Sequence, residues 1–160
     1  MLHCKSLAEL MNIPLPTKTE QRRQVFRPGK KEVIHTFKLL NETIFDNLLA
    51  EPNFNITRRK RNLWAECVGD TDVKNENGSM CEIRLPDKWY CPQWMAVILA
   101  HELCHQHQFE ITGPKLNKID LMSHGPTFFQ FRDRLKEFGI PLKRQYSSYN
   151  WFATQNFFKI

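Results

Sequence analysis

Residues 101 to 105 read His-Glu-Leu-Cys-His, which combines two nitrogen ligands and one carboxylate at helical spacing. On an α-helix, residues four apart lie one turn apart on the same side, so His101 and His105 can bind one cation together. Zinc prefers such nitrogen ligands, and a catalytic zinc site keeps one of its four positions for water. Glu102 is then placed to accept a proton from water that the metal has made acidic. The pattern predicts metal-dependent hydrolysis.

The residues after the second histidine exclude one class of zinc hydrolases. In a metzincin, a glycine would follow the second histidine by three residues, and a further histidine would come three residues later. This chain has Gln108 and Ile111 at those positions. His107 does not supply the ligand either, because it points to roughly the opposite side of the helix from His105. We interpret His107 as a surface or hydrogen-bonded histidine.

The third ligand is expected from a separate element of structure. His124 is the preferred candidate, because Pro126 can begin a second helix that packs against the first and brings another imidazole to the metal. Asp120 is the alternative, since a carboxylate can also complete a zinc site. An equally good role for Asp120 is to hold the free N–H of a ligand histidine.

Two helices must position these ligands. Pro92 suits a first helical turn, and the apolar run after it predicts a buried helix over residues 93 to about 110. The second helix is predicted from Pro126, since its apolar residues recur at intervals of three and four, and Gly139 followed by Pro141 can end it. Its apolar stripe consists of Phe128, Phe131, Leu135 and Phe138.

The combined motif resembles that of the SprT-like zinc metallopeptidases, which include the Spartan proteases that digest proteins crosslinked to DNA. The motif joins the segment 101–105 to Ser-His-Gly-Pro-Thr-Phe-Phe at residues 123–129. Upstream, residues 63–68 and 80–85 are similar to the paired strands that precede the active helix in that family, and residues 33–49 are similar to its amphipathic segment. The resemblance covers about residues 31 to 140.

This resemblance implies a fold, a site and a mechanism. The fold would be α+β and zincin-like, with a small, mostly antiparallel sheet packed on the helices that carry the motif. One Zn²⁺ would be held by His101, His105 and His124, and Glu102 would be the catalytic base. The substrate would be a protein or peptide, including proteins associated with or crosslinked to DNA. The strand from Met80 to Leu85 would hold an extended peptide along a sheet edge.

The cysteines indicate a minimal form of the family. Many relatives carry a C-terminal zinc ribbon, which requires paired cysteines at short spacing, whereas the cysteines here are isolated. We therefore expect no second, structural zinc, and we interpret Cys104 as a core residue. The five cysteines are Cys4, Cys67, Cys81, Cys91 and Cys104.

Length and composition fit a small intracellular enzyme. The 160 residues, 41% of them hydrophobic, supply one domain's worth of core. The odd number of cysteines and the absence of a signal peptide favour a reducing compartment. No apolar run reaches membrane-spanning length, so no membrane association is expected. The expected location is the cytoplasm, which would be the host cytoplasm for a viral protein, or the nucleus in a eukaryote.

The positive net charge of the protein is compatible with an acidic binding partner. The formal net charge is +6, and basic residues cluster in two segments. Such clusters can neutralise phosphates, so nucleic-acid contacts are one interpretation and a solvated, solubility-promoting surface is the other. The candidate contacts are Arg22, Arg23, Arg58, Arg59, Lys60 and Arg61.

The chain divides into three predicted parts. A basic N-terminal extension covers residues 1–30, the catalytic domain covers residues 31–145, and an aromatic tail packed on the domain covers residues 146–160. In the extension, Ser6 to Glu9 fits a capping box for a short helix, but prolines follow it, so a flexible arm is one interpretation.

The catalytic domain should begin with an amphipathic helix from about residue 31 to residue 49. Strands near residues 63–69 and 80–86 should form a hairpin. The apolar face of the helix would consist of Val33, Ile34, Phe37, Leu40, Ile44 and Leu48.

The tail carries more apolar surface than a free segment should display, so we expect it to fold back on the domain. A more specific hypothesis is that Tyr146 or Tyr149 donates a hydrogen bond to the developing oxyanion. The aromatic residues of the tail are Tyr146, Tyr149, Trp151, Phe152, Phe157 and Phe158.

Two other functions remain open at the level of sequence. The protein could be a zinc-stabilised DNA-binding module without turnover. It could also be a zinc hydrolase that acts on an amide other than a peptide bond, because the motif activates water without dictating the acyl group.

Overall fold

The computed structural model describes residues 1–58, 63–69, 73–112, 124–153 and 155. Within these residues the chain is α+β, as the resemblance implied, with a small sheet packed on helices. The helices are α1 (Leu7–Met11), α2 (Lys18–Arg22), α3 (Lys30–Thr43), α4 (Pro92–His107), α5 (Pro126–Phe129), α6 (Arg132–Lys136) and α7 (Ser148–Ala153). The strands are β1 (Asn53–Thr57), β2 (Glu66–Gly69) and β3 (Cys81–Pro86).

The sheet is mixed, whereas a mostly antiparallel sheet was expected. Its order is β1-β3-β2, in which β2 pairs with β3 antiparallel and β1 pairs with β3 parallel. The hairpin partners were therefore predicted correctly, but β1 was not anticipated. Its five residues include two apolar side chains, Phe54 and Ile56, which is too weak a pattern to predict a strand.

The position of β3 corrects the expectation that residues 80–85 form a substrate-binding edge. Both sides of β3 are occupied by neighbouring strands, so its backbone groups are already paired. The edge strands among the described residues are β1 and β2. Of these two, β2 packs against α4.

Helix α4 is buried around almost its whole circumference, as its apolar sequence predicted. Pro92 opens the first turn, and Cys91 Sγ accepts a hydrogen bond from the backbone N–H of Trp94 (3.4 Å). Every residue from 93 to 104 is buried. The α-helix ends at His107 rather than near residue 110, because residues 108–112 wind into a π-helical turn.

Helix α3 ends at Thr43, several residues earlier than predicted. Asp46 and Asn47 adopt positive φ angles of 54° and 59°, which terminate the helix. The side chain of Asn41 exchanges two hydrogen bonds with the backbone of Leu49, which holds this turn in place. Leu48 was assigned to the buried face, but it is 59% exposed because it lies in the turn.

The predicted second helix is divided into α5 and α6. Phe128 and Leu135 are fully buried, whereas Phe131, at the break, and Phe138 are partly buried. Gly139 has a φ of 76°, which a glycine adopts without strain, and it ends this region as expected.

The first thirty residues pack on the rest of the protein. Only half of the predicted capping box is present: Ser6 Oγ accepts a hydrogen bond from the N–H of Glu9 (3.1 Å), but the Glu9 carboxylate accepts one from the N–H of Lys5 (2.8 Å) rather than from that of Ser6. Leu7 and Leu10 of α1 are fully buried in the main hydrophobic cluster. The interpretation of this segment as a flexible arm is therefore wrong for α1.

Segments near the two ends of the chain meet at Gln21, which is completely buried. Its side-chain oxygen accepts a hydrogen bond from Trp151 Nε1 (3.0 Å), and its amide donates to Pro16 O (2.7 Å). Trp151 is 2% exposed, so this part of the aromatic tail packs on the core. Phe157 and Phe158 lie outside the described residues. Among the helices that are described, none is both long and apolar enough to cross a membrane.

Candidate metal centre

The three histidines predicted to bind metal converge. His101 and His105 lie one turn apart on α4, and His124 lies two residues before α5. One ring nitrogen from each histidine lies within 4.8 Å of the corresponding nitrogens of the other two. The Nε2 atom of His124 is 3.2 Å from that of His105 and 3.3 Å from that of His101. Three nitrogens about 2.0 to 2.1 Å from one tetrahedral zinc ion stand about 3.3 Å apart, so this spacing fits the ion.

Hydrogen bonds on the far side of two rings set their tautomers. Nδ1 of His101 is 2.9 Å from the backbone oxygen of Lys143, and Nδ1 of His105 is 2.9 Å from Oε1 of Gln108. Both oxygens are acceptors, so each Nδ1 carries the proton and each Nε2 presents a lone pair. These lone pairs face His124 Nε2 at 3.2 and 3.3 Å, and a cation held between the three rings would be coordinated by one nitrogen from each.

The environment keeps the three imidazoles neutral, which is the form that binds metal. Burial lowers the pKa of His101 to about 3 and that of His105 to about 4. It also lowers the pKa of His124, and the charge of Arg144 lowers it further.

A phenylalanine ring packs against all three histidines. Phe128 of α5 is fully buried, and its ring centroid lies 4.8 Å from that of His101, 4.7 Å from that of His105 and 4.6 Å from that of His124. Its contacts on three rings limit their rotation. The apolar spacing after Pro126 predicted that Phe128 would be buried, but not that it would touch the ligands.

Glu102 lies between the two ligands of α4 in sequence and lines the same cleft as His101. It is 6% exposed. Burial raises the pKa of Glu102 to about 8; the backbone N–H of Cys67 lowers it, and the charge of Glu66 raises it. A carboxyl group with such a pKa can exchange protons with water near neutral pH.

The cleft over this site has a volume of about 320 Å³. One wall is the segment that leads into β2, another is α4, and the third is the segment 144–146. The residues that line it are Leu63, Trp64, Ala65, Ile98, His101, Glu102, Arg144, Gln145 and Tyr146.

The two tyrosines proposed as oxyanion donors are placed differently. Tyr146 lies in the cleft with its ring centroid 5.4 Å from that of His101, but its hydroxyl proton is donated to Pro141 O (2.6 Å). The same hydroxyl accepts a hydrogen bond from the N–H of Lys143 (3.0 Å). Tyr149 is 81% exposed and lines a different groove. In this structure neither hydroxyl is directed at the metal site.

The remaining candidate residues fall away from the histidines or outside the described chain. Arg22 lines the groove that contains Tyr149, and its guanidinium lies 5.2 Å from the centre of the Phe152 ring. Arg23 and Arg58 are exposed. Arg59, Lys60, Arg61 and Asp120 lie outside the described residues. His107 is buried rather than at the surface, and its ring packs on Phe131. Cys104 is fully buried in the core, as interpreted.

Several residues that shape the site were not predicted from the sequence. Gln108 was considered only because a metzincin has a glycine at that position. Residues three apart on a helix are neighbours, so its hydrogen bond to His105 could have been predicted. The Lys143 carbonyl and Arg144 carried no signal, because their approach to His101 depends on how distant segments pack.

Comparison with known proteins agrees with this geometry. A model of the SprT-like family matches residues 33–146. That range contains the three histidines, Glu102, all three strands and the segment that carries Arg144. Among curated proteins, none matches the chain significantly.

Proposed function

The chain belongs to the SprT-like family, and from that premise we propose that it is a zinc-dependent endopeptidase. The observation that carries the proposal is the convergence of three Nε2 atoms at distances of 3.2 and 3.3 Å beside Glu102 in an open cleft. Three imidazoles leave one position of a tetrahedral shell free, which is typical of a catalytic rather than a structural zinc.

The proposed mechanism assigns zinc and Glu102 complementary roles. Zinc, when bound, would supply a Lewis acid that polarises water and the carbonyl of the scissile bond. Glu102 accepts a proton from the attacking water as the new carbon–oxygen bond forms. It then passes that proton to the nitrogen of the departing amine as the carbon–nitrogen bond breaks. His101 and His105 are held by Lys143 O and Gln108, so the cleft needs little rearrangement.

The substrate would lie in the cleft as an extended peptide. Strand β2 is at a sheet edge and packs on α4, and residues 63–65 lead from the cleft wall directly into it. A peptide paired with this edge would be held by backbone hydrogen bonds, which confer affinity with little dependence on sequence. Edge pairing with β2 replaces the role first expected of residues 80–85.

We also propose that the substrates are associated with DNA. The support is the net charge of +6 together with a groove of about 570 Å³. That groove is lined by Lys18, Arg22, Tyr149 and Phe152, among others. Cations that follow a groove and aromatic rings on which bases can stack are the features of single-strand binding surfaces. We further propose that the enzyme acts in the cytoplasm or the nucleus.

Substitution of Glu102 tests the proposed mechanism. Glu102→Gln should keep one zinc per chain but lose peptide cleavage by a factor of about 100 or more, because an amide cannot accept the proton. Zinc content would be measured by atomic emission and cleavage by a protein substrate assay, each with and without single-stranded DNA. His107→Gln is the matched control, since that ring faces Phe131 and should leave both zinc content and cleavage in place.

This experiment, together with assays of DNA binding at several salt concentrations and of the turnover of simple amides, separates the alternatives. Zinc binding without cleavage in the wild type, together with salt-sensitive DNA binding unaffected by Glu102→Gln, would favour a DNA-binding module. Turnover of simple amides but not of proteins would favour a different zinc hydrolase. Cleavage that persists in Glu102→Gln would remove this residue from the mechanism.

A further inference from the structure

The cleft over the metal centre has one strongly charged group whose role is unassigned. Its walls are built mainly from apolar or neutral side chains, including Leu63, Trp64 and Ile98. Among the described residues that line it, Arg144 is the only arginine or lysine. A cation in a cleft is a recognition feature for a negatively charged group.

The backbone beside Arg144 is tied to the metal centre. Lys143 O accepts a hydrogen bond from His101 Nδ1–H (2.9 Å), and the backbone N–H of Lys143 donates one to the hydroxyl of Tyr146 (3.0 Å). Tyr146 in turn donates to Pro141 O (2.6 Å). Arg144 directly follows Lys143, whose backbone oxygen holds the proposed zinc ligand His101.

The guanidinium of Arg144 has no ion pair or hydrogen bond with any described residue, and the residue is exposed. Two other arginines of the chain are ion-paired instead. Arg84 is paired with Glu66 and Glu82, and Arg134 is paired with Asp46. A guanidinium offers five donors in a planar fork that matches a carboxylate. Arg144 thus has its binding capacity available inside the cleft.

We propose that Arg144 is a specificity residue that binds the carboxylate of an acidic substrate side chain next to the peptide bond that is cut. The inference rests on the proposed endopeptidase function. The apolar walls would contact the methylene groups of that side chain, and the guanidinium would hold its two oxygens in a bidentate pair. The enzyme would accordingly cut preferentially beside aspartate or glutamate.

The test uses quenched fluorescent peptides of neutral sequence with blocked termini. Each carries one Glu, Gln or Lys at a position scanned along the chain, and mass spectrometry locates the cut. For the wild-type zinc enzyme, kcat/KM should be about tenfold or more higher for Glu than for Gln at a position that flanks the cut. Arg144→Gln should abolish this ratio, and Arg144→Glu should rank Lys above Glu. Lys136→Glu, an exposed change of equal charge on α6, should keep the wild-type ranking.

Three results would overturn the proposal while leaving the endopeptidase function intact. The first is cleavage by the wild type with no preference for Glu at any position. The second is an equal loss on the Glu, Gln and Lys peptides in both Arg144 variants, with unchanged thermal stability, which would place Arg144 on the common reacting group. The third is a preference for Glu that is absent from the blocked peptides and appears only in a parallel set with a free C-terminal carboxylate.

A binding measurement keeps the inference testable if the wild type cleaves none of these peptides. Fluorescence anisotropy with zinc-loaded Glu102→Gln should show tighter binding of a Glu peptide than of its Gln counterpart. Adding Arg144→Gln should remove that difference. Equal binding of the two peptides to Glu102→Gln would overturn the role of Arg144, whereas absent cleavage alone would count against the proposed function.

Discussion

The ligands on α4 are oriented by residues that do not face the metal. Gln108 accepts a hydrogen bond from His105 Nδ1, and its own amide donates to Thr127 Oγ1 (3.1 Å). These two hydrogen bonds link His105 to Thr127 of α5, the helix that begins two residues after His124. Outer partners of this kind fix the tautomer of a ligand and raise its basicity. At the residue scale, zinc affinity should therefore depend on side chains outside the coordination shell.

Substitution of Gln108 tests this dependence. Gln108→Leu removes the acceptor for His105 Nδ1–H and should weaken zinc binding by about 10- to 100-fold. Gln108→Glu keeps an acceptor oxygen at the same place and should bind zinc at least as tightly as the wild type. Competition with a chromogenic chelator would measure both. Equal zinc affinity in the Leu and Glu variants would show that the contact with His105 is not responsible.

The π-helical turn that follows α4 joins the ligand helix to the sheet. Its Glu110 accepts hydrogen bonds from the N–H of Met80 (2.8 Å) and from the side chain of Gln106 (2.9 Å). Its Phe109 packs on Gly69, the last residue of β2. The space is so tight that a Cβ at position 69 would lie 2.8 Å from the ring. At the element scale, strand β2 and the π-helical turn that follows α4 are thus joined by a close contact between Gly69 and Phe109.

Gly69→Ala should disturb this contact. Overpacking of this kind costs about 1 to 3 kcal/mol, and displacement of β2 should also raise KM for peptides. Phe109→Ala opens the space, so the double variant Gly69→Ala, Phe109→Ala should be less destabilised than the sum of the two single changes. Urea unfolding of the four proteins gives the coupling free energy. Additive effects would mean that the contact between Gly69 and Phe109 is not what limits residue 69.

A single buried cluster extends from the first helix to the last. Leu7 and Leu10 of α1, residues of α4 and Trp151 of α7 all belong to it. Gln21 adds hydrogen bonds between the segments near the two ends of the chain. The division into parts at residues 30 and 146 remains a prediction about sequence, but α1 contributes to the same core as the metal-binding helix. At the scale of the molecule, the hydrophobic core that stabilises the fold also includes residues of α4, the helix that carries His101 and His105.

Truncation of a buried leucine in α1 should therefore destabilise the whole protein. Leu10→Ala should cost about 2 to 5 kcal/mol, as is usual for a fully buried leucine. Leu2→Ala is the matched control, because Leu2 is 46% exposed and its truncation should change the free energy of unfolding by about 0.5 kcal/mol or less. Chemical denaturation followed by tryptophan fluorescence would compare them. Similar small costs at both positions would argue that α1 does not contribute to the common core.

Features that depend on nearby residues were predictable from the sequence alone. The helix and its burial were predicted from the proline at the start of α4 and the apolar run behind it. Helix periodicity also predicted that His101 and His105 lie on the same side of α4. His124 was also found, because Pro126 and the apolar stripe after it indicated a helix start. The hairpin of β2 and β3 was predicted because its strands lie close together in the chain.

Features that depend on contacts between distant segments required the tertiary structure. Strand β1 pairs with β3 across many intervening residues, and it is recognised by that pairing rather than by its weak apolar pattern. The same holds for Lys143 O on His101 and for Arg144 in the cleft, where no local pattern signals the approach. Periodicity encodes the geometry of one element, whereas the contacts between elements are decided by packing of the whole chain. The sequence thus determined the metal-binding motif, and only the fold decided what surrounds it.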